Sequence, residues 1–338
     1  MTIVRPEPEQ PGQHVPATYF TDALPRRALR LGGRTSHLAR AYAQRVIAAL
    51  ASVAPGIEIE YVPIVTSADR HKGDLAALGG KGLFMKEIDK ALSVGEIDAA
   101  VHCMKDVPGD VPLPKGLVFA AYLRRDDVRD AVVFPEGSKY ASLADLPPGS
   151  RVGTSAVRRK AQILRARPDL QVIRYRGNVI PRITRLDEEQ PADALVLARG
   201  GLVKVGMDHR ISQVLDMEDM CPAIGAGVVG VQCRAADEGI VELLQMIDHA
   251  ETRTHILAER TMLHALQGHC NSPLAGHCAT TGDGQLSLIG MVFSRDGDTF
   301  AYAHEWDKLD HAHELGTYVA ANLIRKGARS IIAGTRIE

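Results

Sequence analysis

The chain has 338 residues, enough for two or three domains with hydrophobic cores. Its hydrophobic fraction of 45% and charged fraction of 24% are typical of soluble globular proteins. No apolar run approaches the roughly 20 residues of a membrane-spanning helix, and the first twenty residues lack the apolar core of a secretory signal. We therefore expect a cytoplasmic protein with no membrane partner.

Neither the cysteines nor the net charge define a function class. The five cysteines are scattered through a long chain without an export signal, which argues against a disulfide framework. The net charge of −1 gives no indication of nucleic-acid binding. Residues 151–185, however, contain ten arginines and lysines and a single acid, Asp169. This basic segment either faces solvent or meets an anionic ligand.

Strands and helices alternate along the first two thirds of the chain. Strands are predicted over 28–33, 57–65, 97–104, 130–134, 151–155, 171–175, 192–198 and 225–234. One helix is predicted over 37–50, with Ser36 as its N-cap. A second follows the glycine-rich turn within 79–92, and a third is predicted over 156–167, where Ser155 is able to cap the N-terminus. This order indicates βαβ units around mixed or mainly parallel sheets.

The last third of the chain opens with helical patterns. Helices are predicted over 240–247, 254–266 and 313–327, and strands over 286–293 and 330–334. The mixture indicates a small α+β unit.

The stretch VHCMKDVP (101–108) brings a histidine, a thiol, a cation and a carboxylate to the end of a buried strand. Lys105 and Asp106 could be a solvated pair in a turn. The alternative is that Asp106 meets a cation that is not part of the protein.

Two turns before helices are candidate anion sites. GGKGLF (79–84) lacks the spacing of a dinucleotide or P-loop motif, so it is either a plain turn or a loop that brings Lys81 near an anion. GTSAVRRK (153–160) places a helix N-terminus after a strand, where backbone N–H groups and the dipole favour an anion. Arg158 and Arg159 oppose that dipole unless they share an anion.

Further arginines and one loop cysteine complete the candidates. Arg176 follows a predicted strand and Arg182 comes six residues later; guanidinium groups bind carboxylates through two parallel hydrogen bonds, which suits a substrate with several carboxylates. QGHCNSPLAGHC (267–278) contains Cys270 beside His269, and an imidazolium favours the nucleophilic thiolate. A structural cysteine is the alternative, and the spacing fits no common zinc scheme, so we expect no metal.

These motifs, taken in order, resemble the hydroxymethylbilane synthases, also called porphobilinogen deaminases. The resemblance runs from about Leu29 to the C-terminus. The motifs that carry it are GGRTSHLA, GGKGLFMKE, AVHCMKDVP, VGTSAVRR, RYRGNV, PAIGAGVVGV and AERTMLHALQGHC. The chain departs from the family's usual pattern at Ala77, Ala156, Ala226 and His269.

The resemblance implies two periplasmic-binding-protein-like (type II) α/β lobes, between which the chain crosses twice, plus a small C-terminal α+β domain. A flexible extension over 1–24 would precede domain 1 (25–123 and 226–247), domain 2 (127–222) and domain 3 (250–338), which carries the cysteine loop. A monomer is expected.

The resemblance also implies a transferase of porphyrin biosynthesis. Four porphobilinogen molecules would be joined into linear hydroxymethylbilane with release of ammonia, on a dipyrromethane primer held by a thioether to Cys270. The product would pass to uroporphyrinogen-III synthase.

Roles follow by resemblance. Asp106 would be catalytic, stabilising the substrate cation and moving protons. The remaining cofactor-binding positions would be Lys105, Ser36, Thr154, Ser155, Arg158, Arg159, Arg176 and Gly177. The substrate-binding positions would be Arg34, Arg176, Arg182, Lys81 and Phe84.

Three alternatives belong to other classes or products. A non-catalytic solute-binding protein would need neither Asp106 nor Cys270 and is expected to carry an export signal. A nucleic-acid binder would have few stacking platforms, because aromatic residues make up only 4%. A diverged paralogue with an altered pyrrole substrate or product stays open.

Overall fold

The computed structural model describes residues 27–70, 82–268 and 272–335. In these ranges the strands are β1 (Leu29–Arg34), β2 (Ile59–Ile64), β3 (Ala99–Cys103), β4 (Leu117–Tyr122), β5 (Asp130–Val133), β6 (Arg151–Gly153), β7 (Gln171–Ile173), β8 (Ala194–Ala198), β9 (Gln213–Val214), β10 (Val229–Arg234), β11 (Leu274–Thr280), β12 (Leu286–Phe293) and β13 (Phe300–Asp307). The helices are α1 (His37–Val53), α2 (Ser67–Arg70), α3 (Lys86–Ser93), α4 (Val157–Ala166), α5 (Val179–Glu189), α6 (Arg199–Lys204), α7 (Glu238–Gln245), α8 (Ala250–Ala265), α9 (Ala312–Arg325) and α10 (Ala328–Ala333).

The first lobe is a five-stranded sheet in the order β2-β1-β3-β10-β4 with α1, α2, α3 and α7. Strands β1, β2 and β3 are parallel, and β10 runs antiparallel to β3 and β4. Because helices cover both faces, the central strand β3 is buried on both sides and reads as a continuous apolar run. Strand β10 joins this sheet after the chain has built the second lobe.

The second lobe repeats this arrangement in the order β7-β6-β8-β5-β9, with α4, α5 and α6. Strands β6, β7 and β8 are parallel, whereas β5 is antiparallel to β8. Alternate residues of β5 and β8 enter two separate hydrophobic clusters, one on each face of the sheet. The alternation follows from the two-residue period of a strand.

The third unit is the antiparallel sheet β11-β12-β13 with α8, α9 and α10 packed on it. The predicted strand over 330–334 is wrong, because this segment lies in α10 and the loop that follows it. Its short apolar run does not distinguish a strand from a helix by periodicity, and the left-handed Gly327 (φ 88°) separates α9 from α10. Two lobes and a small α+β unit confirm the predicted fold class, whereas the predicted domain boundaries stay a prediction.

Two helix caps were predicted, and one of them is right. The Ser36 hydroxyl accepts a hydrogen bond from the Ala39 amide at 3.2 Å and caps α1. Helix α4 instead begins after Ala156, which offers no side-chain cap, so Ser155 is not the N-cap. The first turn of α4 therefore keeps N–H groups that no side chain has capped.

The two lobes are joined by the segments 123–129 and 215–228, and α8 of the third unit holds both. Glu259, fully buried, lies 2.7 Å from the Arg125 guanidinium and accepts the Gly225 amide at 2.7 Å. Burial alone would raise the pKa of Glu259, but Arg125 and His277 outweigh it and lower the pKa to about 2.

Within the described ranges no helix is both long and apolar enough to span a bilayer.

We expect Glu259→Gln to lower the free energy of unfolding by about 3 to 5 kcal/mol near neutral pH, because Arg125 would stay buried without a counter-charge. The native pKa of Glu259 is depressed from its ordinary 4.5, so its stabilisation is complete above that value and is lost as pH falls towards 2. The difference in the free energy of unfolding between wild type and variant, measured by urea titration, should therefore shrink as the pH falls over this interval. His311→Gln, in an exposed pair with Asp307, is the control and should change little. A gap that is constant down to pH 2 would contradict the assignment.

Candidate active site

A cavity of about 370 Å³ opens where the three parts of the chain meet, a size within the usual range for small-ligand sites. Its first-lobe wall includes Tyr42, Phe84, Cys103, Lys105 and Asp106. Its second-lobe wall includes Asp130, Ser155, Ala156, Arg158 and Arg159. The third unit contributes Leu263, Gly268, Ser272 and Leu274.

Asp106 lies in this cavity because a single 3₁₀ turn, Met104–Asp106, follows β3 directly. The Met104 amide donates to the Val228 carbonyl at 3.0 Å, which fixes the turn against the second interlobe segment. The Asp106 carboxylate is half-buried and makes no hydrogen bond or ion pair with another described residue. It is therefore a carboxylate without a hydrogen-bonded or ion-paired partner in the described part of the chain.

Gly225 determines how closely the second interlobe segment approaches this turn. Its φ is +75°, and a Cβ built on it would lie 2.7 Å from the Met104 carbonyl carbon and 2.9 Å from the Lys105 nitrogen. Gly227, at φ +73°, would meet the Asp126 carbonyl oxygen at 2.5 Å. Both positions require glycine, for conformation and for space.

A side cleft adjoins the turn and is lined by Lys105 and Asp106 together with three further predicted residues, Arg34, Ser36 and Phe84. Arg34 pairs with Asp69, and its guanidinium carbon lies 4.3 Å from the centre of the Phe84 ring. Burial would lower the pKa of Arg34, but the carboxylates of Asp69 and Asp106 raise it above its ordinary value. Arg34 is thus a charged group that the field of Asp106 reaches.

Arg158 and Arg159 do share an anion, and it belongs to the protein. Their guanidinium groups lie 2.6 and 2.7 Å from the two oxygens of the buried Asp130. Burial would raise the pKa of Asp130, but the two arginines hold it well below its usual range. The anion that these two arginines share is therefore Asp130, the first residue of β5, which neutralises one of them.

The α4 N-terminus adds backbone donors to the second-lobe wall. Ser155, Ala156 and Val157 line the cavity at the uncapped end of this helix. Thr154 is buried behind them, and its hydroxyl accepts the Ala156 amide at 3.2 Å, so it shapes the turn instead of lining the cavity.

Arg176 and Arg182, the predicted arginines after β7, are not among the residues that line the cavity. Arg176 donates to the Ala68 carbonyl at 3.2 Å and so bridges the two lobes, and Gly177 has φ +132°. Burial, together with the neighbouring Arg159 and Arg185, lowers the pKa of Arg182 to about 10. No carboxylate of the described residues pairs with Arg182, so this corner of the second lobe carries excess positive charge.

Three predicted positions, Lys81, His269 and Cys270, lie outside the described residues, as does Ala77. The residues on either side of the second gap, Gly268 and Ser272, both line the cavity.

Sequence reasoning missed several residues that form this site. The sequence pattern marks Asp130 only as the start of a strand and Tyr42 only as a helix residue. It marks Gly225 and Gly227 only as part of a glycine-rich strand. A charge-balance argument on the RR pair could have suggested a buried acid, but not which one. The packing of Gly225 on Met104 joins residues about 120 positions apart, and no local pattern shows it.

Comparisons with known proteins show the family of this chain. The family model described as "Porphobilinogen deaminase, dipyromethane cofactor binding domain" matches residues 29–242, and "Porphobilinogen deaminase, C-terminal domain" matches residues 253–325. The chain belongs to the porphobilinogen deaminase family. This membership confirms the predicted activity, synthesis of hydroxymethylbilane from porphobilinogen, and the predicted dipyrromethane cofactor.

Curated porphobilinogen deaminases match over most of their length. Porphobilinogen deaminase 2 of Streptomyces coelicolor is 49% identical over 307 residues, which cover 90% of this chain and 96% of the relative. Porphobilinogen deaminase of Pelobacter propionicus is 43% identical over 310 residues, covering 91% and 97%. The solved structure of an arginine-specific periplasmic binding protein from Salmonella typhimurium is 14% identical, covers 65% of this chain and 91% of that one, and overlays with a TM-score of 0.39.

We expect Gly225→Ala to lower the rate of porphobilinogen consumption at least tenfold without touching Asp106, since the added methyl would push the Met104–Asp106 turn. Gly206→Ala is the matched control: its φ is +72°, but its added methyl meets nothing within 4 Å. The control should lose about 1 kcal/mol of stability and keep its turnover. Equal turnover in the two variants would show that the close approach at Gly225 does not position the acid.

Proposed function

We propose that this cavity is where the chain joins porphobilinogen units, with Asp106 as the catalytic acid–base residue. The observation that carries the proposal is the unpaired carboxylate of Asp106, which faces a second-lobe wall of hydrogen-bond donors and arginines. A carboxylate and a set of anion-binding groups suit a substrate that is a polyanion at one end and becomes a cation at the other.

Asp106 acts where positive charge develops. As ammonia leaves porphobilinogen, a cationic methylene-pyrrole remains, and a fixed carboxylate in a partly desolvated cavity lowers the energy of that charge. Asp106 also accepts pyrrole N–H hydrogen bonds and moves protons to the departing amine and from the new ring junction. Lys105, exposed on the same turn, binds a carboxylate of the chain.

The second lobe holds the acetate and propionate groups. Because Asp130 neutralises one of its two arginine partners, the net positive charge comes from Arg159 together with Arg182, which pairs with no described carboxylate. The uncapped N-terminus of α4 and the Ser155 hydroxyl supply further donors. Arg34, Ser36 and Phe84 hold the substrate from the first-lobe side, with Lys81, Arg176 and Gly177 in the same roles as predicted above; Thr154 contributes through the turn it shapes.

The dipyrromethane primer fits this set of donors, since it brings carboxylates to a wall rich in N–H groups. When bound, it would supply the free pyrrole α-carbon for the first addition, and each added unit would supply that carbon for the next. We assign its attachment to Cys270, two residues along the chain from both Gly268 and Ser272, which line the cavity. Burial raises the pKa of the described thiols, to about 12 for Cys103 and Cys221 and about 11 for Cys233, which disfavours attachment there.

The wider setting is also a proposal. The protein works in the cytoplasm as a monomer, over the predicted domain ranges, and passes its product to uroporphyrinogen-III synthase. A solute-binding protein would not need an unpaired carboxylate opposite its anion-binding wall, so the enzyme accounts for more of the observed site.

Asp106→Asn should abolish ammonia release from porphobilinogen, with a loss of at least a hundredfold, because the amide cannot carry the negative charge. Ammonia and pyrrole consumption are measured together on purified protein. Asp110→Asn, on the same loop but outside the cavity lining, should keep wild-type rates. Normal turnover by the Asp106 variant would reject its role.

Cys270→Ser should prevent stable covalent attachment of the primer. Intact-mass spectrometry of denatured wild-type protein should show a gain equal to two pyrrole units, mapped by proteolysis to the peptide that contains Cys270. The gain should be absent from Cys270→Ser and present in Cys103→Ser, whose thiol also lines the cavity. A gain that survives Cys270→Ser would place the thioether elsewhere.

A further inference from the structure

Tyr42 is a buried phenol on the wall that carries Asp106, and no role above uses it. Its side chain projects from α1 into the first-lobe core and is only 8% exposed. It also lines both the main cavity and the side cleft.

The hydroxyl of Tyr42 is a polar group without a partner. It makes no hydrogen bond with any described residue, although a buried phenol usually finds one. The oxygen is therefore left for a ligand in the cavity that Tyr42 lines. The apolar part of Tyr42 thus belongs to the core and its oxygen to the site.

The charges around this hydroxyl decide what it can bind. Burial, the Cys103 thiol and the carboxylates of Asp126 and Asp106 raise the pKa of Tyr42, so the phenol stays neutral. Arg45 also lies near but pairs with Asp126 at 2.5 Å. Because Arg45 and Asp126 neutralise each other, Asp106 is the carboxylate that lines both openings with Tyr42, and Arg34 and Lys105 are cations that line the side cleft. A cation or N–H donor at the hydroxyl is therefore favoured by Asp106, whereas a carboxylate is drawn to Arg34 and Lys105.

Porphobilinogen has one such group, the aminomethyl nitrogen that leaves as ammonia. We propose that the Tyr42 hydroxyl oxygen accepts a hydrogen bond from this nitrogen and so orients the leaving group beside Asp106. Tyr42 is then a specificity-determining residue that distinguishes the aminomethyl end of the substrate from its carboxylate-bearing side. This assignment rests on the proposed function of the cavity.

Tyr42→Phe is the first test, because it keeps the ring in the core and removes only the oxygen. A hydrogen bond to a charged donor contributes enough for the KM for porphobilinogen to rise about tenfold when it is lost. The contact exists already in the bound substrate and weakens as neutral ammonia leaves, so kcat should change by less than about threefold. An unchanged KM overturns the proposal.

A substrate analogue makes the test specific to the nitrogen. The probe is the same pyrrole with its acetate and propionate, but with methyl in place of aminomethyl, used as a competitive inhibitor. Its inhibition constant should agree within about twofold between wild type and Tyr42→Phe, since the group that Tyr42 holds is missing. If Tyr42→Phe raises the inhibition constant of the analogue as much as it raises the KM for porphobilinogen, the proposal is overturned, because the hydroxyl would then contact the ring or its carboxylates.

The control is Tyr122→Phe, a phenol of the same lobe that is 9% exposed, stacks on Phe119 and lines neither the cavity nor the side cleft. Its KM and kcat should stay within about twofold of wild type. Intact mass should show the same primer in both variants. If the wild-type protein released no ammonia, both the proposed function and this assignment would fail. If the wild type is active and Tyr42→Phe has an unchanged KM, only the assignment of Tyr42 is rejected.

Discussion

The site depends on one close backbone contact, the passage of the second interlobe segment across the turn that carries the acid. Gly225 and Gly227 bring this segment against Met104, Lys105 and Asp126 at distances that leave no room for a Cβ. The Glu259 carboxylate holds the Gly225 amide and the Arg125 side chain from the third unit. The acid, the connection between the lobes and the third unit are therefore parts of one rigid arrangement.

Charge is divided between the two walls of the cavity. The first lobe presents the Asp106 carboxylate, which pairs with no described residue, whereas the second lobe pairs its buried arginines with Asp130. Arg182, close to Arg159, pairs with no carboxylate of the described residues. A neutral pocket of the same shape would not distinguish the two ends of a substrate that carries acids on one side and an amine on the other. Under the proposed function, the opposition of unlike groups across the cavity would set the direction in which a pyrrole unit enters.

The sequence predicts much of this fold, and its failures have physical causes. Hydrophobic period and turn residues located the parallel strands and α1 with its Ser36 cap, because those signals are local. The strand predicted over 330–334 is wrong because a short apolar run suits a strand and a helix equally. In the structure this run forms a helix that packs on α9. The unusual neighbours of Asp106 also indicate it as a candidate residue, and the structure places it in the cavity. Its support by Gly225 and the pairing of Asp130 with two arginines were not found, since they join residues distant in sequence.

The carboxylate of Asp130 has a consequence for how a growing polymer is held. Under the proposed function, an incoming acetate or propionate would share Arg158 and Arg159 with an internal competitor that is already in place. Each attachment is then an exchange of partners with a small net gain, instead of the capture of a free ion. A polyanion bound in this way can be shifted by one unit at little cost, which allows the same walls to serve successive additions.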